Sequence, residues 1–473
     1  SLVGCVLGAI PGLSGGLGIT LILPMTFALN TNLSFAMLLG MYVGGVSGSF
    51  IAAVLVGIPG SAASIGTCYD GYPMTQKGQA ARALSIGITG SFIGTLVSIL
   101  VATFCSTFIA DIALKLGPWE YFSLCLMAIT MVVGLSNGSI FKGLLAAFFG
   151  LWLSTVGSDM VTNQLRFTFQ NTNLYGGINV VCLLMGTFAL QQVASSYAKN
   201  NLTMPEVDAG SLKGFGYSFK DFKDNLKVII TSLFIGLWIG FLPGMGSGIS
   251  NLIAYGQAKK MSKHPEKFGT GIDEGIWATE VANNAGVGGA IIPMIALGIP
   301  GDATTVLLMS AMTIHGLQAG PMFIKNNPLL ANLIFATVLI SAILIFATEL
   351  LTKRWFPMLL KAPYHYLYSA ILMICFLGAY SASTSMFSVY LVLVFGAIGI
   401  LMEFFKMPST PLMLAFILGS KIESYFRMGC SYAKGDMTSF LTRPISLIFI
   451  LIAVYSVIGP VISKMLKKKK ASA

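Results

Sequence analysis

Charged residues are scarce in this sequence. Asp, Glu, Lys and Arg together make up 10% of the 473 residues, whereas a soluble domain has about 25%. So few charges cannot cover the surface of a soluble globule, which excludes a soluble enzyme, a nucleic-acid-binding module and a disordered scaffold. Apolar residues make up 55% of the chain, and a further 53 residues are Gly. This composition is that of a polytopic membrane protein.

Histidine is rare, and the cysteines form no motif. The three His residues lie far apart, and the seven Cys residues include no C-x-x-C pair, so we expect neither a zinc site nor a disulfide framework. The sequence has no phosphate-binding G-x-x-x-x-G-K-[ST] loop, which excludes ATP hydrolysis by that route. We therefore expect no enzyme activity, no metal site and no organic cofactor in this chain.

The few charges are mostly positive, with a formal net charge of +11 at pH 7. Much of this charge lies in short loops and in the C-terminal run 464–470, where cytoplasmic Lys residues are expected beside membrane helices. The charge therefore gives no reason to expect a nucleic-acid partner. The chain starts with a short apolar stretch, Leu2–Ile10. Because a membrane span needs about 20 residues, we expect further residues to precede it.

Apolar runs that cross or nearly cross a bilayer cover most of the chain, without the polar–apolar alternation of barrel strands. We predict an all-α polytopic membrane protein with about 10–12 membrane segments. The longest polar stretch, 199–225, divides the chain nearly in half. We predict repeat 1 at 1–199, a cytoplasmic linker at 200–225, and repeat 2 with a Lys-rich tail at 226–473.

The two halves share a pattern of Pro-Gly pairs inside apolar sequence. In the first half, Gly8–Gly16 is followed by Gly57–Ser64. In the second half, Gly240–Gly248 is followed by Gly298–Thr305. The prolines of these blocks are 48 residues apart in the first half and 57 in the second, and the extra nine fall in the polar loop Gln257–Gly275. Two ordered matches at similar spacing predict an internal duplication.

Loop charge predicts that the two repeats have opposite orientations in the membrane. Asn30–Ser34, which follows the first Pro-Gly block, has no Lys or Arg, whereas its counterpart Gln257–Gly275 has four Lys residues. Because positive loops favour the cytoplasmic side, equivalent loops of different charge predict inverted repeats. The linker and the C-terminal tail are then both expected on the cytoplasmic side.

Each Pro-Gly pair predicts a re-entrant hairpin or a broken helix. Pro removes a backbone donor and Gly permits unusual dihedral angles, and the polar groups that this frees are tolerated at membrane depth only along a protein-enclosed cavity. A helix that begins after the break directs its N–H groups and positive dipole end toward that cavity, which suits an anion such as a carboxylate. A single pair would more simply kink a helix, but four pairs at matched positions favour a site. The predicted substrate-binding residues are Gly12, Ser14, Gly15, Gly16, Gly60, Ser61, Ala62, Ser64, Gly244, Gly246, Ser247, Gly248, Gly301, Thr304 and Thr305.

Acidic and amide side chains inside apolar sequence form a second candidate set. Carboxylates at membrane depth are costly and usually face a cavity, an ion path or a partner, and amide oxygens are hard ligands that suit Na⁺. The predicted cation-coupling residues are Glu280, Asn283, Asn284 and Asp302. Of these, Glu280 and Asn284 share one face of a helix. Alternatively, Glu280 and Asp302 only stabilise helix N-termini, or the set binds substrate or holds the hairpin together.

Several blocks of the sequence are long and specific. They are Leu55–Leu84, Phe268–Gly286, Leu297–Gly301 and His315–Pro321. These blocks resemble the large membrane (permease) subunit of the tripartite tricarboxylate transporter family, and the resemblance runs through essentially the whole chain. The family's acidic element that ends in Asn-Asn is preserved by Glu280, Asn283 and Asn284. One departure is Ser14–Gly16, where relatives often have Gly followed by Pro or Ala.

The resemblance implies a secondary transporter for di- or tricarboxylates, driven by a Na⁺ or proton gradient, in the cytoplasmic (inner) membrane of a bacterium. It also implies two partners, a small membrane subunit and an extracytoplasmic solute-binding protein. The sequence leaves open whether the chain forms a homodimer. An anion channel or another gradient-independent carboxylate pore is the alternative function. An intramembrane enzyme is less favoured, because no Ser with a nearby base and no paired metal ligands recur.

Overall fold

Helices make up nearly all of the regular structure, which confirms the predicted all-α class. The computed structural model describes residues 1–10, 13–135, 139–159, 162–198, 212, 214, 216–360 and 364–471. The helices of the first half are α1 (Leu2–Ala9), α2 (Gly15–Ile22), α3 (Thr31–Gly48), α4 (Phe50–Val56), α5 (Ile65–Gln76), α6 (Ala80–Ala113), α7 (Pro118–Leu135), α8 (Ile140–Ser154), α9 (Val180–Leu184) and α10 (Gln191–Ala198).

The second half is also helical. Its helices are α11 (Phe219–Asp224), α12 (Leu226–Phe241), α13 (Gly246–Met261), α14 (Asp273–Ala296), α15 (Ala303–Ile314), α16 (Pro321–Asn326), α17 (Pro328–Thr352), α18 (Phe356–Leu360), α19 (Tyr364–Ser383), α20 (Met386–Phe404), α21 (Ser409–Tyr432), α22 (Ser439–Thr442) and α23 (Pro444–Ala471). Shorter elements are the antiparallel strands β1 (Gly157–Ser158) and β2 (Leu165–Arg166), a π-helical turn at Met185–Leu190, and 3₁₀ turns at Leu23–Ala28, Ala62–Ser64, Thr172–Leu174, Pro265–Lys267 and Lys353–Trp355.

Four helical stretches are long and apolar enough to cross a membrane. They are Thr31–Val56, Ala80–Ala113, Pro328–Met358 and Met386–Phe404. Further apolar helices of 10–17 residues lie before, between and after them in the chain. Large apolar side chains such as Phe104 and Phe108 of α6 project outward, with 78% and 67% of their surface exposed, as expected for helices that face lipid. The chain is therefore a multi-pass membrane protein.

A pair of short helices in the first half, α1 and α2, packs against α3. α1 runs beside α3 in the same direction, as the contacts of Gly4 and Gly8 with the backbone of Met41 and Gly45 show. α2 returns past α3 in the opposite direction, with Gly15 against Gly45. Helices this close require glycine at the contact, since a Cβ atom would overlap the neighbouring backbone. α1 and α2 therefore form a helical hairpin that packs along α3.

The second half repeats these contacts at equivalent positions. Gly236 and Gly240 of α12 pack against the backbone of Ala282 and Gly286 of α14. α13 then returns past α14, where the Ser250 hydroxyl donates to the carbonyl oxygen of Ala282 at 3.2 Å. The glycine contacts of α12 with α14 thus match those of α1 with α3, at positions that the repeated sequence pattern aligns.

The second break of each half is a short extended segment between two helices. Gly57 and Gly298 adopt the left-handed conformation there, with φ of 69° and 70°, which is strained for residues with a side chain. Gly60 and Gly301 then pack against the backbone of α1 and α12, respectively, so closely that a Cβ atom would clash with a carbonyl oxygen. The chain turns back toward the middle of the bundle before α5 and α15 begin.

Polar contacts at one end of the bundle join the two halves. Arg82 Nη2 lies 2.5 Å from Asp273 Oδ2 and 3.3 Å from Asp221 Oδ2. Lys353 Nζ donates to Ser85 Oγ at 3.0 Å. We call this end, which contains the described part of the linker, the linker end. The predicted boundary between repeat 1 and the linker, at 199–200, lies outside the described residues.

α6 and α17 occupy equivalent places in the two halves and run antiparallel. α6 starts at the linker end, near Arg82, whereas Asp111 at its other end lies 3.5 Å from Lys325, just before α17. α17 ends at the linker end, where Lys353 meets Ser85. The start of α6 therefore lies beside the end of α17, and the end of α6 lies beside the start of α17.

The remaining helices form an outer group around these elements. α21 packs against α7 and α8, α23 packs against α7, and α20 packs against the π-helical turn. Far from the linker end, Arg166 and Arg427 hold Glu423 and Asp159 in a network of ion pairs at 2.6–3.3 Å. This packing places the turn between α20 and α21 opposite the hairpin tips.

Candidate functional site

The segments that follow the four Pro-Gly pairs line one cavity of about 800 Å³. Four helical segments begin at its wall: α2 at Gly15, the 3₁₀ turn before α5 at Ala62, α13 at Gly246 and α15 at Ala303. The first N–H groups of a helix have no partner within the helix, and they carry its positive dipole end. Four such ends around one cavity form a candidate anion site.

The tip of the first hairpin is built by three consecutive small residues. Ser14 is the N-cap of α2, and its Oγ accepts a hydrogen bond at 3.2 Å from the backbone N–H three residues later. Gly15 packs against Gly45 of α3, so it cannot carry a side chain. Gly16 faces the cavity, and a Cβ there would lie 3.6 Å from its nearest neighbours, an ordinary contact distance. The tip thus exposes backbone to the cavity.

Each hairpin tip contacts the second break of the other half. Gly16 of α2 lies beside Thr304 of α15. In the mirrored contact, a Cβ at Gly248 of α13 would lie 3.3 Å from the Cβ of Ala62. The Asn251 side chain also donates to the carbonyl oxygen of Ala62 at 3.2 Å. Both halves therefore contribute to one site.

Matching capping boxes begin the helices after the second breaks. Ser61 and Ser64 form one box, and Asp302 and Thr305 form the other. Asp302 Oδ1 accepts from the Thr305 N–H at 2.7 Å, and the Tyr42 hydroxyl donates to Oδ2 at 2.7 Å. The alternative that Asp302 caps a helix is thus correct, and the same residue also lines the cavity.

The predicted substrate-binding residues fall into three groups. Gly60 and Gly301 pack behind the wall, and Ser64 and Thr305 are buried caps. Gly12 and the side chain of Ser247 lie outside the described part of the chain. The residues that line the cavity are Ser14, Gly15, Gly16, Ser61, Ala62, Gly244, Gly246, Gly248 and Thr304.

Glu280 lies outside the cavity lining, completely buried in a polar cluster between the two halves. Thr67 of α5 and Ser91 of α6 donate hydrogen bonds to its carboxylate, the second at 3.1 Å. Glu280 is also well beyond the first turn of α14, which begins at Asp273. Stabilisation of a helix N-terminus therefore does not explain this residue.

The two asparagines of the cluster differ in their contacts. Asn284 Oδ1 accepts from Ser47 Oγ at 2.9 Å and from Thr95 Oγ1 at 3.1 Å. Asn283 is completely buried, and its side-chain amide acts on the Glu280 carboxylate as a hydrogen-bonding group, although neither amide atom reaches a partner at ordinary hydrogen-bond distance within the described residues. Buried polar atoms without close partners are rare. The side-chain oxygen of Asn283 is therefore a candidate cation ligand beside Glu280.

Residues 1–414 match the family model of the tripartite tricarboxylate transporter TctA family. The chain belongs to this family, which confirms the resemblance. This TctA-family chain is 34% identical over 446 residues to the uncharacterized 52.8 kDa protein in the TAR-I ttuC' 3' region of Agrobacterium vitis, with 94% of this chain and 88% of the relative covered. It is also 34% identical over 212 residues to the uncharacterized protein in the TAR-II ttuC' 3' region of that organism. This match covers 45% of this chain and 87% of the relative. No solved structure matches.

The outer helices of the TctA-family chain add a polar wall to the cavity that sequence reasoning missed. Glu403 and Lys406, at the turn between α20 and α21, line the cavity together with Gln191. Ser195 and Gln191 donate to the two carboxylate oxygens of Glu403, the first at 2.6 Å. A signal was available, because Glu403 and Lys406 are the only charged residues of the apolar stretch 386–419.

The cavity of the TctA-family chain thus holds charges of both signs. The carboxylates of Asp302 and Glu403 accept hydrogen bonds from neighbouring protein groups. Lys406 is exposed, and its backbone is left-handed with φ of 53°. Lys406 lines the cavity, and its ammonium group is a positive charge that can pair with an acidic ligand.

Proposed function

We propose that this chain is a secondary active transporter that imports a di- or tricarboxylate coupled to Na⁺ or H⁺, and that it catalyses no reaction and uses no organic cofactor. The observation that carries the proposal is the convergence of four helix N-termini on one cavity of about 800 Å³. This volume is in the range of small-molecule sites, roughly 300–1,000 Å³. Backbone N–H groups and dipole ends favour a carboxylate there.

The proposed substrate lies between the hairpin tips and the outer wall. One carboxylate group faces the glycine-rich tips at Gly16 and Gly248, where a side chain would hinder close approach. A second carboxylate pairs with Lys406 across the cavity. Two or three carboxylate groups on one small molecule match this arrangement.

The proposed coupling cation neutralises negative charge near the substrate. A carboxylate substrate brings charge to membrane depth, where uncompensated charge is expensive. Glu280, Asn283 and Asn284 offer oxygen ligands of the kind that hard cations prefer, and Asp302 adds a carboxylate at the cavity itself. The cluster adjoins the site through α5, whose Thr67 bonds Glu280 and whose Ile65 lines the cavity.

The proposed transport cycle uses two inverted repeats. The antiparallel course of the equivalent helices α6 and α17 supports this topology, as does the loop charge. The cavity lies between the hairpins on one side and the helices α10, α20 and α21 on the other. Movement of the hairpin group against the outer group would expose the site to each side in turn.

Membership of a tripartite family supports the proposed assembly. We propose a small membrane subunit and an extracytoplasmic solute-binding protein as partners, in the cytoplasmic membrane of a bacterium. The linker and the Lys-rich tail then lie in the cytoplasm. Whether two copies form a homodimer is a question for the purified complex.

Uptake into proteoliposomes tests the proposed function. The purified chain is reconstituted with its small subunit and binding protein, and radiolabelled citrate, tricarballylate, succinate, malate and fumarate are supplied while Na⁺ and pH gradients are imposed separately. Saturable uptake that exceeds equilibrium and requires one gradient supports the transporter. Non-saturating flux that is indifferent to both gradients supports the channel instead.

A further inference from the structure

One buried carboxyl group has no strong hydrogen-bond donor. Glu349 of α17 is 1% exposed. Its Oε1 accepts a hydrogen bond from the Cys5 thiol of α1 at 3.3 Å, and its Oε2 has no partner among the described residues. A thiol is a weak donor. The surroundings of Glu349 therefore do little to stabilise an ionised carboxylate.

Other buried carboxyl groups of the chain have stronger donors. Glu280 accepts from two hydroxyl groups, and Asp302 accepts from a phenol hydroxyl and a backbone N–H. Asp70 Oδ1 accepts from three backbone N–H groups at 2.8–3.1 Å. Donors of this kind favour the charged form. Glu349 differs from all three.

No cation compensates for Glu349 within the described structure. It makes no ion pair there, and the charged group that acts on it is the carboxylate of Glu280, which repels it. α3 and α4 carry no Asp, Glu, Lys, Arg or His. The charged groups of the other packed elements have partners of their own. Arg82 pairs with Asp273, Asp111 pairs with Lys325, and Lys353 donates a hydrogen bond to Ser85.

We propose that Glu349 binds a proton and that its protonation controls the position of the hairpin α1–α2. Loss of the proton leaves a buried carboxylate beside Cys5 without compensation, which is unfavourable. The ionised state therefore favours separation of α1 from α17 and entry of water. α1 leads directly to the tip at Ser14–Gly16, which lines the cavity. The proton and the substrate thus act on the same hairpin.

This inference rests on the proposed transport function for its coupling role but not for its proton chemistry. The first test is therefore infrared difference spectroscopy of the purified protein between alkaline and acidic pH, without substrate. The other carboxyl groups contribute their own C=O stretching bands, so the variants are compared by difference. We expect one protonated-carboxyl component that titrates with pH in the wild type to be missing from Glu349→Gln. Glu423→Gln, which removes a carboxylate from the far end of the bundle, is the matched control and should retain the band. A band unchanged in Glu349→Gln would overturn the proposal.

The second test is uptake under an imposed pH gradient, with citrate or, if the wild type prefers another carboxylate of the panel above, with that compound in its place. A one-unit gradient corresponds to about tenfold accumulation per coupled proton. We expect this accumulation in the wild type and in Glu423→Gln. Glu349→Gln should lose it while still exchanging labelled for unlabelled citrate across the membrane. Retained accumulation in Glu349→Gln would show that the residue is structural. If the wild type itself takes up no citrate, the transport proposal is in question, whereas the infrared band still tests the proton site.

Cys5→Ser keeps the test decisive if Glu349→Gln does not fold. A hydroxyl group is a stronger donor than a thiol and stabilises the carboxylate better. The pH at which the carboxyl band is half lost should therefore fall in Cys5→Ser relative to wild type. An identical midpoint would contradict the proposed contact.

Discussion

Replacement of the cavity-facing glycines with valine tests whether the hairpin tips bind the substrate. At Gly16, a Cβ would have only ordinary contacts, and at Gly248 the nearest atom would be the Ala62 Cβ at 3.3 Å. The fold should therefore accept the substitution at Gly16, and at Gly248 it should do so after a shift of Ala62 by a few tenths of an ångström. The Cγ atoms of valine, however, project into the space that a carboxylate needs to reach the backbone N–H groups.

The size of the effect follows from the contacts that would be lost. A hydrogen bond to a charged group contributes about 1.5–3 kcal/mol, so loss of one such contact raises the KM for uptake roughly 10- to 150-fold. Loss of two abolishes measurable uptake. We expect Gly16→Val and Gly248→Val to fall in this range, with thermal unfolding of the purified protein close to that of the wild type.

Two comparison variants separate binding from folding. Gly256→Val makes the same change on α13 where a Cβ would have no neighbour within 4 Å and no cavity is lined, so its uptake should be normal. Gly60→Ala places a Cβ against the backbone of Gly8 and should reduce folded protein, because overpacking costs about 1–3 kcal/mol or more. Normal uptake by both Gly16→Val and Gly248→Val would refute a substrate site at the tips.

Four further predictions address charge. Glu280→Gln, Asn283→Ala and Asn284→Ala should raise the cation concentration for half-maximal uptake, and an altered citrate affinity with an unchanged cation response would assign them to substrate binding or to structure. Lys406→Gln should raise the KM for citrate roughly tenfold by removal of one ion pair, whereas Lys434→Gln, outside the cavity lining, should leave it unchanged. Asp70→Asn should lower the free energy of unfolding by roughly 1–2 kcal/mol, because it removes the charge that faces three N–H groups before α14, and an unaltered melting temperature would argue against this anchor. The Ser218 backbone N–H, assisted by the Arg82 guanidinium, holds the pKa of Asp221 below its ordinary value, so its contribution to stability is present above about pH 4 and is lost at lower pH. The melting temperature of Asp221→Asn should lack that part of the pH dependence. If the melting temperatures of the variant and the wild type depend on pH in the same way, this contribution of Asp221 is contradicted.

The sequence predicted the pattern of breaks because that pattern is local. Pro and Gly restrict or free the backbone at their own position, so Gly57 and Gly298 could be recognised without knowledge of their neighbours. The same reasoning could not separate Gly16, which faces the cavity, from Gly60, which packs against another helix. Gly60 cannot carry a side chain because α1 lies against it, and the residues around Gly60 in the sequence do not specify where α1 lies.

The charged residues show a different limit. Glu280 was recognised as unusual in apolar sequence, but its partners Thr67 and Ser91 are far away in the chain, and no spacing rule links them. Lys406 was missed because a Lys at a helix end is ordinary in membrane proteins. Its importance comes from the packing of α21 against the first half, which brings that turn to the cavity.

Recognition by the main chain has a consequence for how substrate preference changes. The peptide N–H groups of the hairpin tips are present whatever residue occupies the position, so a point mutation can obstruct them but cannot delete them. In the proposed site, they would bind any carboxylate in much the same way. Selectivity among carboxylates would then reside in the opposite wall, which is lined by Gln191, Glu403 and Lys406. Exchange of that turn between relatives, with the tips left intact, is the direct route to a transporter of altered preference.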